Sequence, residues 1–222
     1  MPAADTKATG PEAFAELLSR PGVVEVVDLR STFGFCAFHG GNLERFTDQV
    51  ASEAAARSGS SFYGVLQPAG MRHHISSKYV SPSVSEQLRS FIDHCDVVVA
   101  IHGYGLRGRW SDLLLGGTNR ALAAHVARHV RDEIPYYRVI DDLDEIPKSL
   151  RGQHPDNPCN LSRSGGVQIE LPPRVRGLTP MAQYWPASSR RTGVGSDRFP
   201  HTERLIEGLA TAARSWAPPT AS

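Results

Sequence analysis

Cysteine is scarce: Cys36, Cys95 and Cys159 are the only three in 222 residues, odd in number and widely spaced. That count argues against a disulfide framework, and Cys36 and Cys95 sit in or beside apolar runs, as reduced thiols do. An excess of either charge is also missing, since 24 Lys and Arg stand against 23 Asp and Glu for a net charge of +1. Without a basic stripe interleaved with aromatics there is no electrostatic reason to expect a nucleic-acid partner. No run approaches the roughly 18 apolar residues of a membrane span. The opening "MPAADTKATGPEAF" lacks a basic segment followed by an apolar core. The expectation is a soluble, cytoplasmic, monomeric protein without a membrane partner, whose release to the outside would be by lysis.

What is present is an alternation. "PEAFAELLSR" has helical spacing, and "PGVVEVVDLR" then turns β-branched. "FGFCAF" (33–38), "SFYGVL" (61–66), "DVVVAI" (96–101), "LLLGG" (113–117), "YYRVI" (136–140) and "GVQIEL" (166–171) read as further strands. Between them "FTDQVASEAAARSG", with Thr47 as N-cap and Gly59 as stop, "SPSVSEQLRSFIDHC" and "NRALAAHVARHVRDE" read as helices, and "TERLIEGLATAARSW" (202–216) closes the chain. The run 96–101 is apolar on both faces, the pattern of a buried central strand. Such alternation predicts one α/β domain over 1–222, with a mixed, mostly parallel sheet covered by helices on both faces. Residues 141–165 and 172–200 break the pattern, and long structureless segments in a compact domain are functional or disordered. The tail 217–222 reads as disordered.

Two strands end alike. "FCAFHGGNLE" closes on His39, Gly40 and Gly41 with Glu44 five residues after the histidine, and "VVVAIHGYG" closes on His102 and Gly103. In open α/β sheets ligands bind beyond the carboxyl ends of the strands. If the two strands are neighbours, the imidazoles converge. Glu44 reaches them only if the glycines bend the chain, since residues five apart do not face each other on a helix. Two imidazoles and a carboxylate form the ligand set of a catalytic zinc site, with a fourth position left for water. In "GVQIEL" Glu170 alternates with Val167, Ile169 and Leu171, so an internal strand would carry a buried carboxylate, costly unless paired and suited to general-base work. "NPCNLSRSGG" places Asn160 and Arg163 just before that strand, and a planar guanidinium is well suited to hold a substrate carboxylate.

Taken together, "FHGGNLERFTDQVA", "RHHISSKY", "VVVAIHGY", "LLLGGTN", "NPCNLSRSGGVQIEL" and "PPRVR" resemble, in order, the motifs of the poly-γ-glutamate hydrolase family known from phage. The resemblance spans roughly residues 12 to 176. It implies a zinc-carboxypeptidase-like fold and one Zn2+ per chain held by His39, Glu44 and His102. It further implies Glu170 as the catalytic glutamate, Arg163 as the loop arginine, His74 near the substrate, and an anionic γ-glutamyl substrate cleaved at its amide bond. Asn160 and Arg107 join the substrate-binding expectation. Phe46 stands where the family has a glycine, "VLQPAG" replaces the family's "F-E-G", and the segment after Arg176 has no counterpart.

Other readings accompany this one. The histidines are also compatible with strand-end residues bonded to backbone carbonyls, Glu44 with a helix-entry carboxylate, and Glu170 with an ion pair to Arg163 or Arg174. His125 and His129, four apart beside several arginines, read as a solvated helix face more readily than as a second metal site. Cys159 near His154 admits a cysteine hydrolase. At the level of function, an N-acyl amino acid deacylase would use the same metal site, and a non-catalytic domain binding an anionic ligand would dispense with Glu170.

Overall fold

The computed structural model describes residues 10–178 and 200–218. The disordered tail expected at 217–222 and the Pro- and Arg-rich stretch after residue 178 therefore lie largely outside the described residues. Five helices are described, α1 (Pro11–Ser19), α2 (Thr47–Ser58), α3 (Glu86–His94), α4 (Arg120–Glu133) and α5 (Pro200–Ser215). Seven strands, β1 (Val24–Asp28), β2 (Ser31–Gly41), β3 (Ser60–Gln67), β4 (Val97–Gly103), β5 (Asp112–Leu115), β6 (Arg138–Ile140) and β7 (Gly166–Leu171), form one sheet in the order β1-β3-β2-β4-β7-β5-β6. The inner pairs β3/β2, β2/β4 and β4/β7 are parallel, as is β5/β6, while β1/β3 and β5/β7 are antiparallel. This is the mixed, mostly parallel α/β sheet that the alternation predicts.

Both faces are buried, which is why the central strands read as unbroken apolar runs. Phe35, Ala37, Val99, Ile101, Val167 and Ile169 pack against α2, α4 and α5. Cys36, Phe38, Val98 and Ala100 pack on the other face against Phe14 and Leu17 of α1 and Leu88 and Phe91 of α3. Leu88, Phe91 and Ile92 fall at helical spacing on one buried side of α3, and Ser85 closes its start by accepting from the Leu88 amide at 3.0 Å. Truncating that cap to alanine would cost about 1 kcal/mol.

Local differences from the sequence reading have physical causes. The second strand runs on to Gly41, so His39 lies within it rather than after it. Thr47 is the first residue of α2 and not its cap, because its hydroxyl donates back to the Glu44 carbonyl at 2.7 Å while Phe46, at φ 74°, occupies the cap position. Residues 81–84 form a turn ahead of α3 instead of its first turn. Among the described residues no helix is long and apolar enough to cross a membrane.

Candidate active site

The carboxyl ends of β2, β4 and β7 lie side by side, and His39, His102 and Glu170 stand on them. β4 and β7 pair in parallel with His102 opposite Glu170, so both side chains leave the same face. Plain alternation along β2 would send His39 to the other face with Phe35 and Ala37. The ladder instead counts three steps on β2, from Ala37 to Gly40, against two on β3, from Gly64 to Leu66. One extra residue in a strand is a β-bulge, which re-aims a side chain. Here it leaves the His39 ring 4.9 Å from that of His102.

Glu44 returns to the pair by a tight turn in which its amide donates to the His39 carbonyl at 2.9 Å. Gly41 makes that turn possible, for its φ is 69° and a Cβ there would meet the Gln67 carbonyl oxygen at 2.2 Å. The carboxylate then lies between the imidazoles, Oε1 being 2.8 Å from His39 Nδ1 and Oε2 3.3 Å from His102 Nδ1, while the Gly103 amide donates to Oε2 at 2.9 Å. Burial alone would raise the Glu44 carboxyl, but the charges and hydrogen bonds of His39 and His102 outweigh it and hold it well below the usual carboxylate range. His102 is likewise opposed by burial and is raised by the Glu44 charge.

These residues fit a divalent cation. His39 Nε2 donates to the Ile75 carbonyl at 2.9 Å, which fixes the ring's orientation and leaves Nδ1 facing a carboxylate oxygen, two electron-rich atoms that need a proton or a cation between them. His102 Nε2 is buried with no hydrogen-bond partner among the described residues. One donor atom from each of His39, Glu44 and His102 lies within 4.8 Å of the others, and two neutral imidazoles with one carboxylate suit a borderline-soft ion.

Glu170 is 5% exposed, and burial pushes its carboxyl up to about 7 against the pull of the His102 charge. Gln168 Nε2 donates to Glu170 Oε1 at 2.8 Å and is itself oriented by Asn157 Nδ2, which donates to Gln168 Oε1 at 2.7 Å. A cavity of about 360 Å³ opens over these groups, with His74, Tyr104, Ser149 and Leu150 among its walls. The last two show that part of the irregular segment 141–165 forms the site.

Of the other expected residues, His74 lines the cavity, with its ring 4.9 Å from that of His39. Arg163 does not. It pairs with Asp96 at the amino end of β4, the opposite end of the sheet, with 72% of its side chain exposed. Asn160 is a loop clamp that accepts from the Thr118 amide at 3.1 Å and donates to the Gly152 carbonyl at 2.7 Å. Arg107 is exposed in the loop after β4 and lines no part of the cavity. The Cys159 thiol is fully buried and raised by that burial, the reverse of an activated nucleophile. His125 faces the Arg128 guanidinium at 3.4 Å and the Ala212 carbonyl at 3.0 Å, so that helix face is a hydrogen-bonded surface.

The sequence reading missed Arg176, which is 6% exposed and donates from Nη1 to the Arg45 carbonyl at 3.2 Å and from Nη2 to the Tyr104 carbonyl at 3.0 Å. It thereby joins the turn that carries Glu44 to the loop that follows His102. Burial lowers its guanidinium to about 10, with Glu44 and Glu170 pulling the other way. Its signal was present in "PPRVR", directly after the strand that carries Glu170.

Two histidines and a carboxylate thus stand beside a buried glutamate at the carboxyl edge of an α/β sheet, a set suited to metal-assisted hydrolysis, and the family match makes the class an amidohydrolase. The family model Poly-gamma-glutamate hydrolase matches residues 14–192, and the chain belongs to that family. Among solved structures it is similar to a bacteriophage poly-γ-glutamate hydrolase, at 21% identity and a TM-score of 0.71 over 92% of this chain and 96% of that one. A second similar structure is the zinc-free apo form of YNDL, at 22% identity and a TM-score of 0.69 over 89% of this chain and 94% of that one. Both likenesses bear on the fold. No curated protein sequence matches the chain.

Proposed function

We propose that this protein is a zinc-dependent hydrolase of the γ-glutamyl amide bonds of poly-γ-glutamate, with His39, Glu44 and His102 holding the ion and Glu170 as the catalytic base. The observation that carries the reading is the pairing of Glu170 with His102 across β4 and β7, which sets a carboxyl of raised pKa beside the two-histidine cluster. Membership of the family supports the substrate class. The zinc-free form of a similar fold supports the choice of ion.

When bound, zinc supplies a Lewis acid that polarises the amide carbonyl and makes water a better nucleophile. Glu170 Oε1 is held by Gln168, so Oε2 is the atom that takes the proton from the attacking water as its oxygen bonds to the carbonyl carbon. The same oxygen returns that proton to the leaving nitrogen as the C–N bond breaks. Glu44, fixed by the Gly103 amide, keeps both imidazoles in place. Arg176 offsets part of the negative charge of Glu44 and Glu170 from behind Gly103. Action as a monomer, in the cytoplasm or after lysis, belongs to the same proposal.

The test combines elemental analysis with polymer sizing. The purified protein should hold about one zinc per chain and shorten poly-γ-glutamate. Glu44→Ala should lose both properties, and Glu170→Gln should keep the metal and lose cleavage. Zinc absent from the unaltered protein after incubation with the ion, or full activity in Glu170→Gln, would refute the assignment.

A further inference from the structure

We infer that Arg72 is the residue that recognises the free α-carboxylate of a γ-linked glutamyl unit and so sets specificity for an acidic chain; the inference rests on the functional reading above. Among the described residues Arg72 is the only arginine or lysine lining the catalytic cavity. That cavity also contains Glu44 and Glu170. An anionic substrate entering it meets two carboxyl groups, and Arg72 is the one long cationic side chain on the wall to oppose them.

The loop that carries Arg72 is anchored on both sides of it. Asn42 Nδ2 donates to the Met71 carbonyl at 2.8 Å. The Gln67 side-chain amide takes the backbone of His73 in both directions, Nε2 donating to its carbonyl at 2.7 Å and Oε1 accepting from its amide at 2.8 Å. Two residues further on, the Ile75 carbonyl accepts from the ring of His39 at 2.9 Å. Arg72 thus springs from a backbone tied to the strand ends that build the catalytic centre. Its own side chain is exposed and makes no hydrogen bond or ion pair among the described residues. An anchored stem with an uncommitted head is how a recognition residue is pre-organised, and a planar guanidinium matches a carboxylate with two parallel hydrogen bonds. The other arginines considered for this role are engaged elsewhere or lie outside the cavity: Arg176 on two carbonyls, Arg163 on Asp96 at the far end of the sheet, and Arg107 off the wall.

The experiment compares the zinc-loaded protein with its Arg72→Ala variant on two substrates, poly-γ-glutamate and the same polymer with its α-carboxylates converted to carboxamides. On the acid polymer the variant should show a KM raised about tenfold or more with kcat changed less, the loss expected when a charge-assisted contact made in ground and transition states alike is removed. On the carboxamide polymer the two proteins should have the same KM, and zinc content should be equal in both. An unchanged KM on the acid polymer, or an equal rise on both polymers, would overturn the role of Arg72 while leaving the enzyme assignment standing. Failure of the unaltered, zinc-loaded protein to cleave poly-γ-glutamate would overturn both together.

Discussion

Arg176 lies so close against Gly103 that a Cβ at position 103 would stand 2.6 Å from its Nη1 and 2.7 Å from its Cζ. The guanidinium is tied to the carbonyls of Arg45 and Tyr104 and is buried, so it has little room to yield. Gly103→Ala should therefore break at least one of those bonds and loosen the join between the Glu44 turn and the loop after His102. A loss of about 1–3 kcal/mol of stability is expected in denaturant unfolding, together with weaker zinc binding. An alanine variant with unchanged stability and unchanged metal affinity would show that Arg176 moves aside without consequence.

The raised pKa of Glu170 has two consequences with opposite readouts. As the proposed base it must be ionised, so kcat/KM should fall as pH drops through an acid limb at or below about 7, a bound cation drawing it downward. Gln168 favours the ionised form, and Gln168→Leu should move that limb to higher pH. In the metal-free protein the shift acts on stability. A carboxyl raised on folding stabilises fully below its unfolded value, roughly 4.3, and loses that contribution as pH rises to about 7. The melting temperature of the metal-free protein should decline across this window, and Glu170→Gln should make the decline shallower, leaving the part that Asp48 and His102, also raised, contribute. Identical pH dependence in the two proteins would contradict the assignment.

Phe46 is the only non-glycine residue with positive φ among the described residues. Left-handed backbone is strained for a side chain with a Cβ and free for glycine, a difference of about 1 kcal/mol. Phe46→Gly should therefore be more stable than Phe46→Ala, reversing the ordinary effect of glycine, because both lose the ring and only alanine keeps the strain. Thermal unfolding of the pair decides it, and alanine proving the more stable would mean that the turn relaxes.

Arg163→Ala should leave kcat/KM on poly-γ-glutamate unchanged and alter stability by no more than about 0.5 kcal/mol, since its partner Asp96 is a solvent-screened surface contact. A large rise in KM would place Arg163 at the substrate after all.

Why Arg163 misled and Arg176 was overlooked is a matter of strand direction. Residues just before β7 lie at its amino end, about 20 Å of extended chain from the end that carries Glu170. Residues just after β7 lie where ligands gather, and "PPRVR" begins there. The strand-His-Gly endings were legible because each is a short run of neighbouring residues, and Glu170 because the period-two alternation of its strand carries it. The bulge that turns His39, the Gln67 clamp that anchors Arg72 and the fit of Arg176 against Gly103 were not, since each depends on a contact between segments far apart in the chain. Phe46 was visible as a departure from the family, and its physical meaning came only with its backbone angle.

The order of the strands has a bearing on when during synthesis the enzyme can begin to act. Among the described residues β7 is the last strand of the sheet in sequence, yet it is wedged between β4 and β5, and it brings Glu170 with Arg176 just behind it. A nascent chain ending before Gly166 already carries His39, Glu44 and His102 but has a gap through the middle of its sheet and lacks the residue proposed as base. On the proposed mechanism, cleavage therefore waits until β7 enters the sheet.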